Sequence, residues 1–249
     1  MSVEARGPVV LANPEASGGT ASLLIEAPVV LFDVEGTLVD AVPLTLRCWH
    51  ATLAEFGHQV TVERLRPMSG MDGRDMLGHL LPGLGDDVAT RILQRQGERY
   101  RSHYLSQVKP FPGVAELFER LRGAGKSIGF ATDASRDELD RYVEIAGIAG
   151  LVDARACGDE IERGKPHPDV MHLALKKLGA SPGDAVMIGD TPFDALAARK
   201  VGIRAVGLLT GGFIEADLIK AGAGAVRPDV GALLETVRPL LNVGNRNTS

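Results

Sequence analysis

Asp33 and Glu35 follow the apolar run VVLF (29 to 32), Thr132 and Asp133 follow SIGFA, Lys165 precedes a helical segment, and Asp190 follows AVMIG with Asp194 four residues on. A lone D-x-E is ordinarily a solvated loop acid. Several acids with one ammonium and one hydroxyl are what displacement at phosphorus requires. A carboxylate and a phosphate dianion about 4 Å apart repel by about 8 kcal/mol at an effective dielectric of about 20, so an anionic nucleophile needs positive charge beside it. Lys165 supplies one cation. Asp33 and Asp190 together can hold a hard divalent ion, and Mg²⁺ takes one or two carboxylates with waters and a phosphate oxygen. Such an ion neutralises charge and aligns the reactants. Glu35, two residues beyond Asp33, can lie on the same side of an extended chain. There it can protonate a departing alkoxide and later take a proton from the water that hydrolyses an aspartyl phosphate. Thr132 offers a hydroxyl donor to non-bridging oxygens.

These residues need a frame that gathers them, and the pattern of apolar runs supplies one. VVLF (29 to 32), SIGFAT (127 to 132), AVMIG (185 to 189) and AVGLL (205 to 209) alternate with helix-period segments at 113 to 124, 135 to 147, 167 to 178 and 192 to 201. Alternation of this kind predicts βαβ units and an α/β fold whose parallel sheet is buried on both faces by the four helices. Ser135 with Glu138 forms a capping-box pattern, Gly179 follows LALKKL, and Pro192 suits a first helical turn. Ligands of open parallel sheets bind beyond the carboxyl ends of the strands, where the polar residues fall. Between the first two strands lies a long stretch without a strand signal. Amphipathic stretches at 43 to 56, 74 to 81 and 86 to 105 predict a helical insertion that leaves after Asp40 and returns near Lys109-Pro110, with FPG at 111 to 113 marking re-entry.

The segments DVEGTLVD, ATDAS, GKPHPD and GDTPFDA resemble the four signature motifs of the haloacid dehalogenase superfamily, in order and with compatible spacing, between about Val29 and Gly212. The resemblance implies a three-layer Rossmann-like core (29–41 and 109–242) with a C1-type all-α cap at 42–108, as in phosphoglycolate phosphatases and β-phosphoglucomutases. It implies Asp33 as nucleophile and Glu35 as acid/base with its main-chain carbonyl on Mg²⁺. Thr132, Asp133 and Lys165 fall at the phosphate-binding positions, Asp190 at a metal ligand, and Asp194 at a further acidic position near the metal. SGMDGRDML (69 to 77) resembles the cap loop that closes over substrate, making Arg74 a candidate contact to the leaving group. Two positions depart from the family pattern. Glu35 stands where D-x-D-G-T is usual, one methylene or roughly 1.5 Å longer, and Asp133 places a carboxylate where Asn or Ser is common.

The function this implies is Mg²⁺-dependent hydrolysis of a small phosphorylated metabolite, of the phosphoglycolate or sugar phosphate type. A phosphomutase is disfavoured because Thr45 stands where β-phosphoglucomutases carry a His. The alternative of another class is a phosphate- and Mg²⁺-binding protein with little turnover, detuned by Glu35 and Asp133. His50, His58, His103 and His167 read as structural or solvated, and Trp49 as core of the insertion. The 249 residues carry 27 basic and 32 acidic side chains, a net charge of −5, without the dense Lys/Arg run a nucleic-acid partner needs. Cys48 and Cys157 read as ordinary buried thiols of a cytoplasmic protein. No membrane partner is expected, since no segment offers about 18 nearly uncharged apolar residues. Nothing demands more than a monomer or weak homo-oligomer. Residues 1–28 and 243–249 read as flexible tails.

Overall fold

Val29–Phe32 (β1) and Ala185–Gly189 (β4) are buried at every position, as uninterrupted apolar runs should be when both faces of a sheet are covered. The computed structural model describes residues 14–237. Its sheet is wholly parallel, in the order β3-β2-β1-β4-β5-β6, with β2 at Ser127–Ala131, β3 at Ala154–Ala156, β5 at Arg204–Leu208 and β6 at Ala223–Arg227. The four predicted strands form its centre. Two edge strands, β3 and β6, were not expected from the sequence.

Alternate residues of each strand feed opposite faces. Val30, Phe32, Ile128, Phe130, Val186, Ile188, Val206 and Leu208 pack with helices α6 (Val114–Gly123), α7 (Arg136–Ala146) and α11 (Val230–Val237). Val29, Leu31, Ala131, Ala185, Met187 and Ala205 pack with α8 (Asp169–Leu178), α9 (Pro192–Val201) and α10 (Glu215–Ala221). The result is a three-layer α/β/α arrangement. The punctuation acts as its chemistry requires. Ser135 and Glu138 close a reciprocal capping box on α7, Gly179 ends α8 in the left-handed conformation, and Pro192 opens α9.

The segment before β1 is not all a flexible tail. Pro14–Glu26 is a helix, α1, packed against β6 and α11. Leu24 and Ala27 are buried in the core, the Lys126 ammonium donates to the Ile25 and Ala27 carbonyls at 2.7 and 2.8 Å, and Arg204 pairs with Glu26. Packing at its C-terminal end overrides the weak helix propensity of the Gly18-Gly19 pair. Residues 1–13 and the C-terminal tail lie outside the described residues.

Between β1 and β2 the chain runs through α2 (Val42–Glu55), α3 (Val62–Leu65), α4 (Gly73–Leu80) and α5 (Asp86–His103). These helices enclose their own apolar cluster, including Leu46, Trp49, Leu53, Leu65, Met76, Leu77 and Ile92. Exit and return are tied together. The Asp40 N–H donates to the Lys109 carbonyl at 2.8 Å and the Phe111 N–H to the Leu38 carbonyl at 2.9 Å. The insertion therefore sits directly over the carboxyl edge of β1.

Candidate active site

Strand register gathers the polar residues. Phe32 pairs with both Phe130 and Ile188, so the residues just past β1, β2 and β4 emerge side by side. These are Asp33, Thr132 and Asp190, all buried. Lys165 enters from the loop before α8 and Asp194 from the first turn of α9. The Lys165 Nζ donates to Asp33 Oδ1 at 2.5 Å and to Asp194 Oδ1 at 2.7 Å. The other Asp194 oxygen accepts from the Thr191 hydroxyl at 2.7 Å and the Thr191 N–H at 3.0 Å. Thr37 donates its hydroxyl to Asp190 Oδ1 at 2.7 Å, with Asp33 Oδ2 3.4 Å away. Gly36 is required at the turn between these acids. Its φ is +82°, and a Cβ there would lie 2.2 Å from Asp190 Oδ2.

Three buried carboxylates share one ammonium here, and the imbalance shows in their acidities. Burial pushes the Asp33 carboxyl up to about 6 despite the attraction of Lys165, with Asp194 adding repulsion. Asp190 is driven well above the ordinary carboxylate range by burial and by the charges of Asp33 and Asp194. Burial alone would lower the Lys165 ammonium, but Asp194 and Asp33 hold it protonated. A further cation would resolve the excess of negative charge. One oxygen each of Asp33, Asp190 and Asp194 lie within 4.8 Å of one another, and Asp190 Oδ2 is buried with no hydrogen-bond partner. An orphaned buried oxygen inside a compact all-oxygen donor set fits a hard divalent ion. The Glu35 carboxylate is not in this group.

Glu35 instead turns toward α7, where Glu35 Oε1 accepts from the Tyr142 hydroxyl at 2.7 Å. Burial, and next the charge of Glu138, push its carboxyl up to about 8. Thr132 accepts from the Ala134 N–H at 3.2 Å, which leaves its own proton available to a ligand. Asp133 Oδ2 accepts the Lys165 N–H at 2.8 Å and so helps to seat the lysine loop. Burial raises the Asp133 carboxyl, with Lys165 opposing.

A cavity of about 550 Å³ opens between these residues and the insertion, lined by Asp33, Glu35, Thr132, Asp133 and Lys165 below and by Trp49, Met76 and Gln96 among others above. Arg74 does not line it, for its guanidinium donates to the Thr90 hydroxyl at 3.0 Å on the outer side of the insertion. Asp72, two residues earlier, does line it. Asp72 Oδ1 caps α4 and Asp72 Oδ2 accepts the Gly164 N–H at 3.0 Å, while the Asp72 N–H donates to the Lys165 carbonyl at 2.8 Å. Asp72, Tyr142, Thr37 and Thr191 were not singled out from the sequence. Thr37, Thr191 and Asp72 lie within DVEGTLVD, GDTPFDA and SGMDGRDML, whereas no local pattern marks Tyr142.

Comparison with known families places this geometry. The family model of haloacid dehalogenase-like hydrolases matches residues 30–208, spanning the strands and loops that carry the site. The chain belongs to the haloacid dehalogenase-like hydrolase family. Within that family it is 30% identical over 201 residues to the probable phosphatase IndB of Dickeya dadantii, covering 78% of this chain and 86% of that protein. It is likewise 30% identical over 183 residues to a phosphoglycolate phosphatase of Xylella fastidiosa, covering 73% and 80%. Among solved structures, a hydrolase from Pseudomonas syringae superposes with a TM-score of 0.77 at 30% identity, covering 83% of this chain and 95% of its own. The acids and lysine at the strand ends are thus a feature of a haloacid dehalogenase-like hydrolase. No helix among the described residues is long and apolar enough to cross a membrane.

Proposed function

We propose that this chain is a Mg²⁺-dependent phosphatase that hydrolyses a small phosphorylated metabolite through an aspartyl phosphate on Asp33. The observation that carries the reading is the pairing of Asp33 with Lys165 beside the orphaned Asp190 oxygen, at the floor of a cavity sized for a small ligand. Asp33 and Asp190 would hold Mg²⁺, with Asp194 close by. Bound there, the ion supplies neutralisation of the phosphate charge and alignment of the nucleophile.

An Asp33 carboxylate oxygen bonds to phosphorus as the ester P–O bond breaks, and Glu35 gives its proton to the departing oxygen. Its carboxyl, raised to about 8, is protonated at neutral pH as this step needs. Water then attacks the phosphorus, Glu35 regains a proton from it, and the bond to Asp33 breaks. Lys165 and the Thr132 hydroxyl stabilise the non-bridging oxygens. Asp194 holds the lysine in place, and Asp133 anchors its main chain.

The helices of 42–108 act as a cap over a core made of 29–41 and 109–242, excluding water while substrate is bound. Substrates of the phosphoglycolate or sugar phosphate type suit the size of the cavity, and relatives named phosphoglycolate phosphatase support the same class. Two buried free thiols, Cys48 and Cys157, suit a reducing cytoplasm. The test is release of inorganic phosphate from p-nitrophenyl phosphate and a metabolite panel with Mg²⁺, comparing wild type with Asp33→Asn. Wild-type turnover that the variant lacks is the expected result. Equal, negligible rates for both would replace this reading with phosphate binding alone.

A further inference from the structure

Tyr100 of α5 and Tyr142 of α7 are both almost fully buried, at 3% and 1% exposure, and their hydroxyl oxygens lie 2.7 Å apart. The chain does not end with this pair, for the Tyr142 hydroxyl donates onward to Glu35 Oε1 at 2.7 Å. A phenol has one proton. If that of Tyr142 is given to Glu35, the proton between the two tyrosines comes from Tyr100, and the chain runs Tyr100 to Tyr142 to Glu35. Glu35 Oε1 is then an acceptor, which leaves Glu35 Oε2 as the oxygen free of this chain. The two tyrosines alone need only each other to avoid an orphaned hydroxyl. The third link falls on the side chain that is longer than the Asp usual at this position, and a longer side chain has more rotamers to restrain.

We propose that Tyr142, backed by Tyr100 from the insertion, is a positioning residue for Glu35 that fixes its rotamer and leaves Oε2 as the oxygen free to exchange a proton with substrate. This rests on the reading of Glu35 as the acid/base. It also joins the two parts of the chain, because Tyr100 reaches Tyr142 only when α5 is seated against α7. Acid assistance and seating of the insertion are thereby coupled through one line of hydrogen bonds.

The experiment measures kcat/KM with Mg²⁺ for a series of aryl phosphates, from p-nitrophenyl phosphate, whose phenolate departs unaided, to phenyl phosphate, whose phenolate needs a proton. Wild type, Tyr142→Phe, Tyr100→Phe and Glu35→Gln are compared as full chains, with thermal midpoints as the check on folding. For Tyr142→Phe we expect a loss of about tenfold or more with phenyl phosphate and under about threefold with p-nitrophenyl phosphate. Tyr100→Phe should tilt the series the same way by less. A loss equal across the series, or none, overturns the proposal even if Glu35→Gln shows the tilt. If Glu35→Gln shows no tilt, the acid role itself fails and the proposal with it. Should Tyr142→Phe not fold, Tyr100→Phe decides, and a flat series for that variant overturns the coupling.

Discussion

On the sheet side of the cavity, Asp33, Thr132 and Asp190 each stand one residue past a central strand, and their positions follow from the register of β1 with β2 and β4. On the insertion side, Asp72 and Tyr100 come from a helix start and a helix surface, and they meet the core at Gly164 and Tyr142 through pairings distant in sequence. The first set is fixed by backbone that cannot move without breaking the sheet. The second is fixed by a few hydrogen bonds across a seam. Substitutions on the sheet side should therefore abolish chemistry, and those at the seam should alter how well the site closes.

The sharpest contrast comes from Asp33→Asn. Loss of the nucleophilic oxygen should lower phosphate release by about a thousandfold or more, measured with Mg²⁺ in excess. Residual turnover within about tenfold of wild type would show that the sheet side does not carry the reaction.

Asp190→Asn should separate metal holding from folding. Saturating Mg²⁺ at about 100 times its Kd stabilises a protein by about 2.7 kcal/mol, which at this chain length is roughly 5–10 °C in thermal midpoint. We expect that rise in wild type and less than about 2 °C in the variant. The metal-free variant should melt above metal-free wild type, since one of three buried carboxylates facing a single ammonium is removed. An undiminished Mg²⁺ shift would exclude Asp190 as a ligand.

This contrast also explains what could be seen in the sequence. β1 and β4 are legible to the residue because they are apolar on both faces, and the acids beyond them stand out against that run. The edge strands are not. Ala154–Ala156 is three residues with an arginine at its centre, and Ala223–Arg227 is broken by Gly224, so neither has the run or the alternation that marks a strand. The hydrogen bond from Tyr142 to Glu35 joins residues 107 apart, and a tyrosine on the apolar stripe of a helix looks like core until the partner is seen. Arg74 illustrates the converse. Its loop does meet the core, but through Asp72, whose carboxylate caps α4 and holds Gly164 at once.

The seam is therefore the place for a milder test. Asp72→Ala removes a helix cap, worth about 1 kcal/mol, and a bridging hydrogen bond of about 1 kcal/mol. With closure weakened, KM should rise by about tenfold while kcat changes by less than about threefold. Arg74→Ala, whose guanidinium faces Thr90, should leave KM within about twofold. A larger effect at Arg74 than at Asp72 would move the substrate contact outward.

The smallest effect is expected at Glu160, which does not itself line the cavity. Its carboxylate accepts from Lys177 at 2.6 and 2.8 Å and pairs with Arg136 at 3.1 Å, joining the Gly158–Glu160 turn to α8 and α7. Hydrogen bonds from Lys177 hold its carboxyl at about 2, with burial opposing and Cys157 assisting. A carboxyl depressed on folding binds fewer protons in the native state. Its contribution is thus present above its ordinary value of about 4.3 and fades as pH falls toward about 2. Because the side chain is 24% exposed, solvent screening keeps that contribution below about 1 kcal/mol. Glu160→Gln should accordingly lower the thermal midpoint by about 1–3 °C at pH 7, with the gap to wild type closing as pH falls through that window and kcat unchanged. A gap that stays constant with pH would mean that the residue acts through packing rather than charge.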